Sequence, residues 1–111
     1  MEFSQDLVKG SIVPIILALL KDRPRYGYEI VKVVNARTNG LLEWKEGTLY
    51  PTLHRLEAAG LVRASWQEVG AGAPRKRKYY AATRKGLAEL ARRTSEWQAF
   101  SMAVNAIVFG A

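Results

Sequence analysis

One stretch of strict two-residue alternation, framed on both sides by helical spacing, constrains this chain more than any other feature. Val62, Ala64 and Trp66 alternate with Arg63, Ser65 and Gln67, the period of a strand. Upstream, Leu49, Leu53 and Leu56 stand four and three apart, and Gly60 stops that helical run. Downstream, Leu87, Leu90, Thr94, Trp97, Ser101, Val104 and Val108 keep the 3-4 rhythm of a coiled-coil seam. The pattern predicts a strand over 61–69, a tip at 70–74 and a returning strand at Tyr79–Ala82. Arg75, Lys76, Arg77 and Lys78 then fall at the turn of a β-hairpin set among helices. The fold class is mainly α with one small hairpin (α+β).

The remaining helices follow from caps and periodicity. Ser11 is placed to cap a first helix with Ile12, Ile15, Ile16 and Leu19 on one face, widened by Val13, Leu17 and Leu20. Pro14 fits its first turn; a start near Ser4 would instead put a kink at Pro14. Pro24 closes this segment. A second helix is predicted over Tyr26–Arg37, with Ile30, Val33 and Val34 inward and Asn39-Gly40 as its stop. Leu41, Leu42 and Trp44 read as an apolar connector docked on the core. The third helix is predicted to begin at Thr48, its hydroxyl the cap and Pro51 in its first turn. At 100° per residue its outer face carries Pro51, His54, Arg55 and Ala58, flanked by Tyr50 and Thr48. Thr83 caps a last helix running from Arg84 to about Phe109.

Charge singles out one part of the chain. The net charge is +7, and residues 45–86 hold nine Lys/Arg against three Asp/Glu, while the flanking segments are nearly balanced. An excess confined to one segment suggests a binding surface for a polyanion, since solubilisation alone would spread it. Four adjacent cations repel one another, a cost that phosphates would relieve. A helix presented to the major groove reads base edges from near its N-terminus. On that geometry Arg55 reaches guanine or a phosphate, His54 reaches a base edge, and Lys45 and Thr48 contact phosphates at the helix start. Tyr50 reaches a phosphate or packs its ring against the first helix. Arg75 to Lys78 contribute affinity that does not depend on sequence, with Arg75 or Arg77 able to enter a minor groove.

Other classes are disfavoured. The absence of Cys excludes a disulfide scaffold, thiol chemistry and thiolate zinc sites, and one His leaves no multi-His metal centre. Glu43, Glu46 and Glu57 are the only clustered carboxylates, with no nucleophile–base pair beside them, so no enzyme and no cofactor are expected. The longest apolar run, Ile12 to Leu20, falls well short of a membrane span of roughly 20 residues. It lacks a cleavage signal as well, so the cytoplasm is the expected location. A single-stranded RNA surface would need stacking aromatics that the hairpin lacks.

The last helix is too apolar to be covered by three short helices and a hairpin. No charged residue follows Glu96, and Phe100, Ala103 and Ile107 broaden the seam. Leu87, Leu90, Trp97, Phe100, Val104, Ile107 and Val108 are therefore expected to pack against a second copy. Residues 1–83 then form the binding unit and 84–111 the dimerisation helix.

Helix, helix, helix, hairpin, helix is the order of a winged helix-turn-helix with an appended helix. Four stretches carry a further likeness: Tyr26-Gly27-Tyr28-Glu29-Ile30, Gly47-Thr48-Leu49-Tyr50-Pro51, Leu53 to Leu61, and Arg77-Lys78-Tyr79-Tyr80 with Thr83 and Gly86. Over residues 8 to 90 the chain resembles the PadR-like transcriptional regulators, in their compact branch with one C-terminal helix. The resemblance implies a homodimeric regulator, usually a repressor, on a pseudo-palindromic DNA operator. Tyr28 would then lie at the start of a helix crossing the DNA backbone, Thr48 to Arg55 in the recognition helix and Arg75 to Lys78 in the wing. It also implies release by a small aromatic or hydrophobic effector, with Trp97 matching a pore-lining Trp and Phe100 beside it. On the residues alone Trp97 reads first as core packing at the dimer interface, and the resemblance brings the effector reading level with it. The alternative for the surface is a protein-interaction module whose basic wing docks an acidic partner.

Overall fold

The joints of the chain fall where its glycines stand. In the computed structural model, which describes residues 2–70 and 75–110, the order is α1 (Gln5–Val8), a 3-10 turn (Lys9–Ser11), α2 (Ile12–Asp22), β1 (Arg25–Tyr26), α3 (Gly27–Arg37), α4 (Glu46–Ala58), β2 (Val62–Val69), β3 (Arg75–Ala82) and α5 (Arg84–Val108). Asn39 and Gly40, at φ 52° and 78°, end α3, and Gly40 N–H reaches back to the Asn35 carbonyl at 2.9 Å. That bond closes the left-handed cap the Asn-Gly pair predicts. Of the hairpin tip, Ala71 to Pro74 lie outside the described residues.

Three helix starts differ from expectation. Ser4 caps α1 by accepting from Leu7 N–H, so the helical region does begin early. The irregularity expected at Pro14 shows as the 3-10 turn one residue before α2, because Pro14 has no N–H to offer the Gly10 carbonyl. Ser11 does not cap α2: its hydroxyl donates back to the Val8 carbonyl at 2.7 Å. Tyr26 is not the first turn of α3 but its N-cap residue, held in a two-residue strand. Thr48 is not the cap of α4 either. That helix starts at Glu46 with Lys45 as N-cap residue, leaving Pro51 inside it. The cost is small because the carbonyl deprived of a partner belongs to exposed Gly47, which water can reach.

The sheet is antiparallel, in the order β1-β3-β2. β3 sits in the centre, pairing Tyr79 with Tyr26 on one side and with Ser65 on the other. Arg75 to Lys78 thus belong to the returning strand, not to the turn, and Arg75 pairs with Val69 while Lys76 faces Glu68. Successive side chains in a strand leave on opposite faces, which separates the four cations and lowers the repulsion expected at a tight tip. Burial fades along β2 from Val62 to Ala64 to Trp66, which is 64% exposed where the strand outruns the core. Trp66 is therefore not the inward residue its alternation suggests.

Side chains from α2, α3, α4 and the root of the hairpin fill one core, with Ile16, Leu17, Ile30, Leu49, Leu53, Val62 and Tyr80 fully enclosed. Leu42 and Trp44 pack against it while Leu41 stays exposed. Arg25, 3% exposed, is the one buried cation among the described residues. Its Nε donates to the Leu19 carbonyl at 3.2 Å, and its guanidinium pairs with Asp22 at 2.7 Å and Glu29 at 3.4 Å. Arg23 also pairs with Glu29. This network ties the end of α2 to the first turn of α3.

α5 begins as its cap predicts. Thr83 Oγ1 accepts from Gly86 N–H at 3.0 Å and donates to the Gly60 carbonyl at 2.6 Å, while Lys85 donates to the Ala59 carbonyl at 2.9 Å. The start of α5 is thereby stitched to the end of α4. Its first turns pack on α2, and Leu90 lies in the protomer's own core, so Leu90 is withdrawn from the expected interface set. Beyond it the helix leaves the body, giving extents of 62 × 32 × 21 Å. Among the described residues no helix is long and apolar enough to cross a membrane.

Candidate nucleic-acid interface

α4 turns Leu49, Thr52, Leu53 and Leu56 inward, and its exposed residues are Glu46, Gly47, Thr48, Pro51, His54, Arg55, Glu57 and Ala58. The stripe of leucines fixes this orientation, because all three are buried in the common core rather than left to water. One chain of hydrogen bonds steadies the outer face: Arg55 Nη2 donates to Thr52 Oγ1 at 3.1 Å, and Thr52 donates to the Thr48 carbonyl at 3.2 Å. Arg55 is held by one guanidinium N–H, and its others have no acceptor among the described residues. His54, one turn from Pro51, is exposed beside it. Lys45 stands exposed at the head of the helix, where the dipole and its own charge favour an anion.

The wing strand supplies the second part of the surface. Arg75 and Lys76 are fully exposed at its outer end. Arg77 lies over the ring of Tyr26, guanidinium carbon to centroid 4.3 Å, and Tyr26 meets Tyr79 edge-to-face at 5.5 Å. Lys78 is drawn the other way, its Nζ 3.9 Å from Glu57 on α4 and 5.6 Å from the Tyr80 ring centroid. Among the described residues Arg75 and Lys76 have no partner, while Arg77 and Lys78 brace the wing against the start of α3 and against α4. Burial, then the nearby Glu57 carboxylate, raises the Tyr80 hydroxyl above its ordinary pKa. It stays neutral at the root of the wing.

A third part is the exposed start of α3, where Tyr28 carries Lys32 5.2 Å from its ring centroid. β1 places this start directly against β3. Tyr28, the outer face of α4 and the basic strand are therefore parts of one body, joined through the Tyr26–Arg77 stack and the Lys78–Glu57 pair. Tyr50 differs from the other α4 candidates. Its ring is half-buried and turned onto α3, not onto the first helix. Two residues beside this surface were not singled out from the sequence. Trp66, opposite Lys78 on the wing, reads as core by alternation alone; Arg63, exposed on the face that carries Arg75 and Arg77, carries no local signal at all.

Trp97 and Phe100 lie elsewhere, on the free end of α5, 49% and 63% exposed. Leu87, Val104, Ile107 and Val108 are exposed as well. Among the described residues no cluster of His, Cys, Asp or Glu is arranged to hold a metal ion.

The helices α2, α3 and α4, and a three-stranded antiparallel sheet whose hairpin is the wing and whose central strand carries four cations, define a winged helix-turn-helix. The family model that matches residues 16–92 is that of the transcriptional regulator PadR-like family. The chain belongs to that family, and is a transcriptional regulator rather than an enzyme. A transcriptional regulator from Clostridium thermocellum superposes with TM-score 0.86 at 33% identity, over 96% of this chain and 98% of that one. A PadR-like regulator from Bacillus cereus gives 0.81 at 30%, over 96% and 99%. An uncharacterized protein of Lysinibacillus sphaericus is 40% identical over 92 residues, 83% of either chain.

Proposed function

We propose that the chain is a homodimeric repressor, acting in the cytoplasm on a pseudo-palindromic operator. α4 enters the major groove with His54 and Arg55 at base edges and with Thr48, Pro51 and Lys45 near the flanking phosphates. Arg75 and Lys76 lie along the adjacent backbone or minor groove, with Arg77 and Lys78 behind them, and Tyr28 meets a phosphate from the start of α3. The observation that carries the dimer is the free end of α5. There Trp97, Phe100, Val104, Ile107 and Val108 stay exposed in a chain whose other large apolar side chains are mostly covered. An apolar face of that length is a liability in water unless a second copy covers it, and a two-fold pairing gives the symmetry that a palindrome needs. Residues 84–111 are then the dimerisation helix on the 1–83 binding unit.

Trp97 and Phe100 are also the residues on which a flat aromatic effector would stack at the dimer interface. Quenching of tryptophan fluorescence by such a molecule, lost in Trp97→Ala while the dimer persists, is the expected signature. For the DNA reading, the decisive measurement is fluorescence anisotropy on the duplex just upstream of the protein's own coding sequence. A scrambled duplex at two salt concentrations is the control. A preference of tenfold or more, about 1.4 kcal/mol, supports operator binding. Equal and strongly salt-dependent binding leaves a basic surface whose operator lies elsewhere, and no binding favours a protein-interaction module.

A further inference from the structure

Gly27, the first residue of α3, is buried, and nothing about its backbone angles demands glycine. What demands it is Tyr50. A Cβ built on Gly27 would lie 2.6 Å from the Tyr50 hydroxyl oxygen and 2.7 Å from both Cε1 and Cζ of its ring, far inside van der Waals contact. The phenol is therefore seated on bare backbone at the point where α3 begins, and no other side chain type at position 27 leaves that seat open. This is a contact between the two helices of the helix-turn-helix, at the end of α3 that β1 also pins to the wing.

The surroundings of the phenol suit packing and not DNA. Burial raises the hydroxyl above its ordinary pKa, and the carboxylate of Glu46 and the neighbouring Tyr80 raise it further. A phosphate approaching that hydroxyl would be repelled by the Glu46 carboxylate, which no cation pairs with among the described residues. One turn further along α4, His54 and Arg55 point to water.

We propose that Tyr50 is a positioning residue and not a DNA contact: seated on Gly27, it sets the angle at which α4 is presented to the major groove. The inference rests on α4 being the reading helix. Base readout tolerates little displacement, because a bidentate contact fails when its donor moves by an ångström, whereas the charge attraction of the wing survives such a shift. Disturbing the seat should therefore remove sequence preference and leave the salt-dependent affinity.

The test uses a duplex selected from a random-sequence library by the wild-type protein, and a scrambled control, each at two salt concentrations. Tyr50→Phe keeps the ring and is expected within twofold of wild type on both duplexes. Gly27→Ala evicts the ring and is expected to lose at least tenfold of the preference, with the scrambled affinity and the salt slope unchanged. Circular dichroism and the melting temperature report whether it folds. Should Gly27→Ala not fold, Tyr50→Ala against Tyr50→Phe makes the same comparison. If Tyr50→Phe weakens both duplexes alike while the salt slope stays the same, the neutral hydroxyl is a phosphate contact and the proposal falls. It falls equally if the folded Gly27→Ala keeps its preference. A wild-type protein that selects no duplex removes the DNA reading itself, and the proposal with it.

Discussion

At the scale of single residues, the strongest constraints come from places where an atom has no room. A Cβ on Gly86 would lie 2.0 Å from the Leu61 carbonyl oxygen, a backbone atom that cannot swing aside. Gly86→Ala is expected to cost about 3 kcal/mol or more, seen as a fall of more than 10 °C in melting temperature. Arg25 is constrained by charge instead. Its removal would leave Glu29, itself nearly buried, with only Arg23 for a partner. Arg25→Ala is expected to destabilise by about 3 kcal/mol in urea unfolding, with an unchanged m-value. On the surface, Glu89 accepts from Arg92 and Arg93, and those bonds hold its carboxyl down to about 2. A folded-state value below the unfolded one means that its contribution is present above about pH 4.5 and is lost as the pH falls toward 2. Glu89→Gln should flatten that part of the stability profile and leave the neutral region alone. Among the wing cations, Arg75→Ala with Lys76→Ala should weaken every duplex about equally and lower the salt slope by about two. Arg77→Ala should additionally cost stability, because its guanidinium covers Tyr26.

At the scale of elements, what could be read from the sequence was whatever a local pattern decides. The leucine stripe of α4, the Asn39-Gly40 stop and the Thr83 cap are each settled by neighbours within one or two turns, and each stands as read. Ser11, Tyr26 and Thr48 are starts at which two local rules compete and tertiary pairing decides. Tyr26 joins a strand because β3 runs past it, and nothing within α3 announces that. Thr48 offers a good cap, yet α4 extends two residues ahead of it, where Glu46 complements the dipole. Trp66 was illegible for a related reason: alternation tells which face a residue is on, but not where the core ends. Of the candidate surface, the α4 face could be read because a helix turns all its outer residues one way. The division of labour among the four wing cations could not, since Tyr26 and Glu57 are brought to them only by the fold. The free end of α5 yields its own prediction. The wild type is expected to sediment as a dimer in analytical ultracentrifugation, and Val104→Asp or Ile107→Asp as a folded monomer that keeps most of its helical circular dichroism.

At the scale of the whole molecule, one rod, α5, runs from a clamp on the end of α4 to the free apolar end. α5 has 25 residues, about 37 Å at 1.5 Å per residue. Its near end has little freedom, with Gly86 against Leu61, Thr83 and Lys85 bonded to Gly60 and Ala59, and no Gly or Pro from Leu87 to Phe109 to soften it. A stiff rod clamped to the end of α4 behaves as a lever with its fulcrum at the clamp. A tilt of about 5° between two such rods in a pair displaces a point one rod length away by about 3 Å, a sizeable fraction of the rise between successive base pairs. In the dimer proposed above, the spacing of the two α4 helices would then be tuned by side chains tens of ångströms from the DNA. Wedging the far ends apart, by a bound molecule or by a bulkier residue at 97 or 100, would put both helices out of step with the groove without touching either.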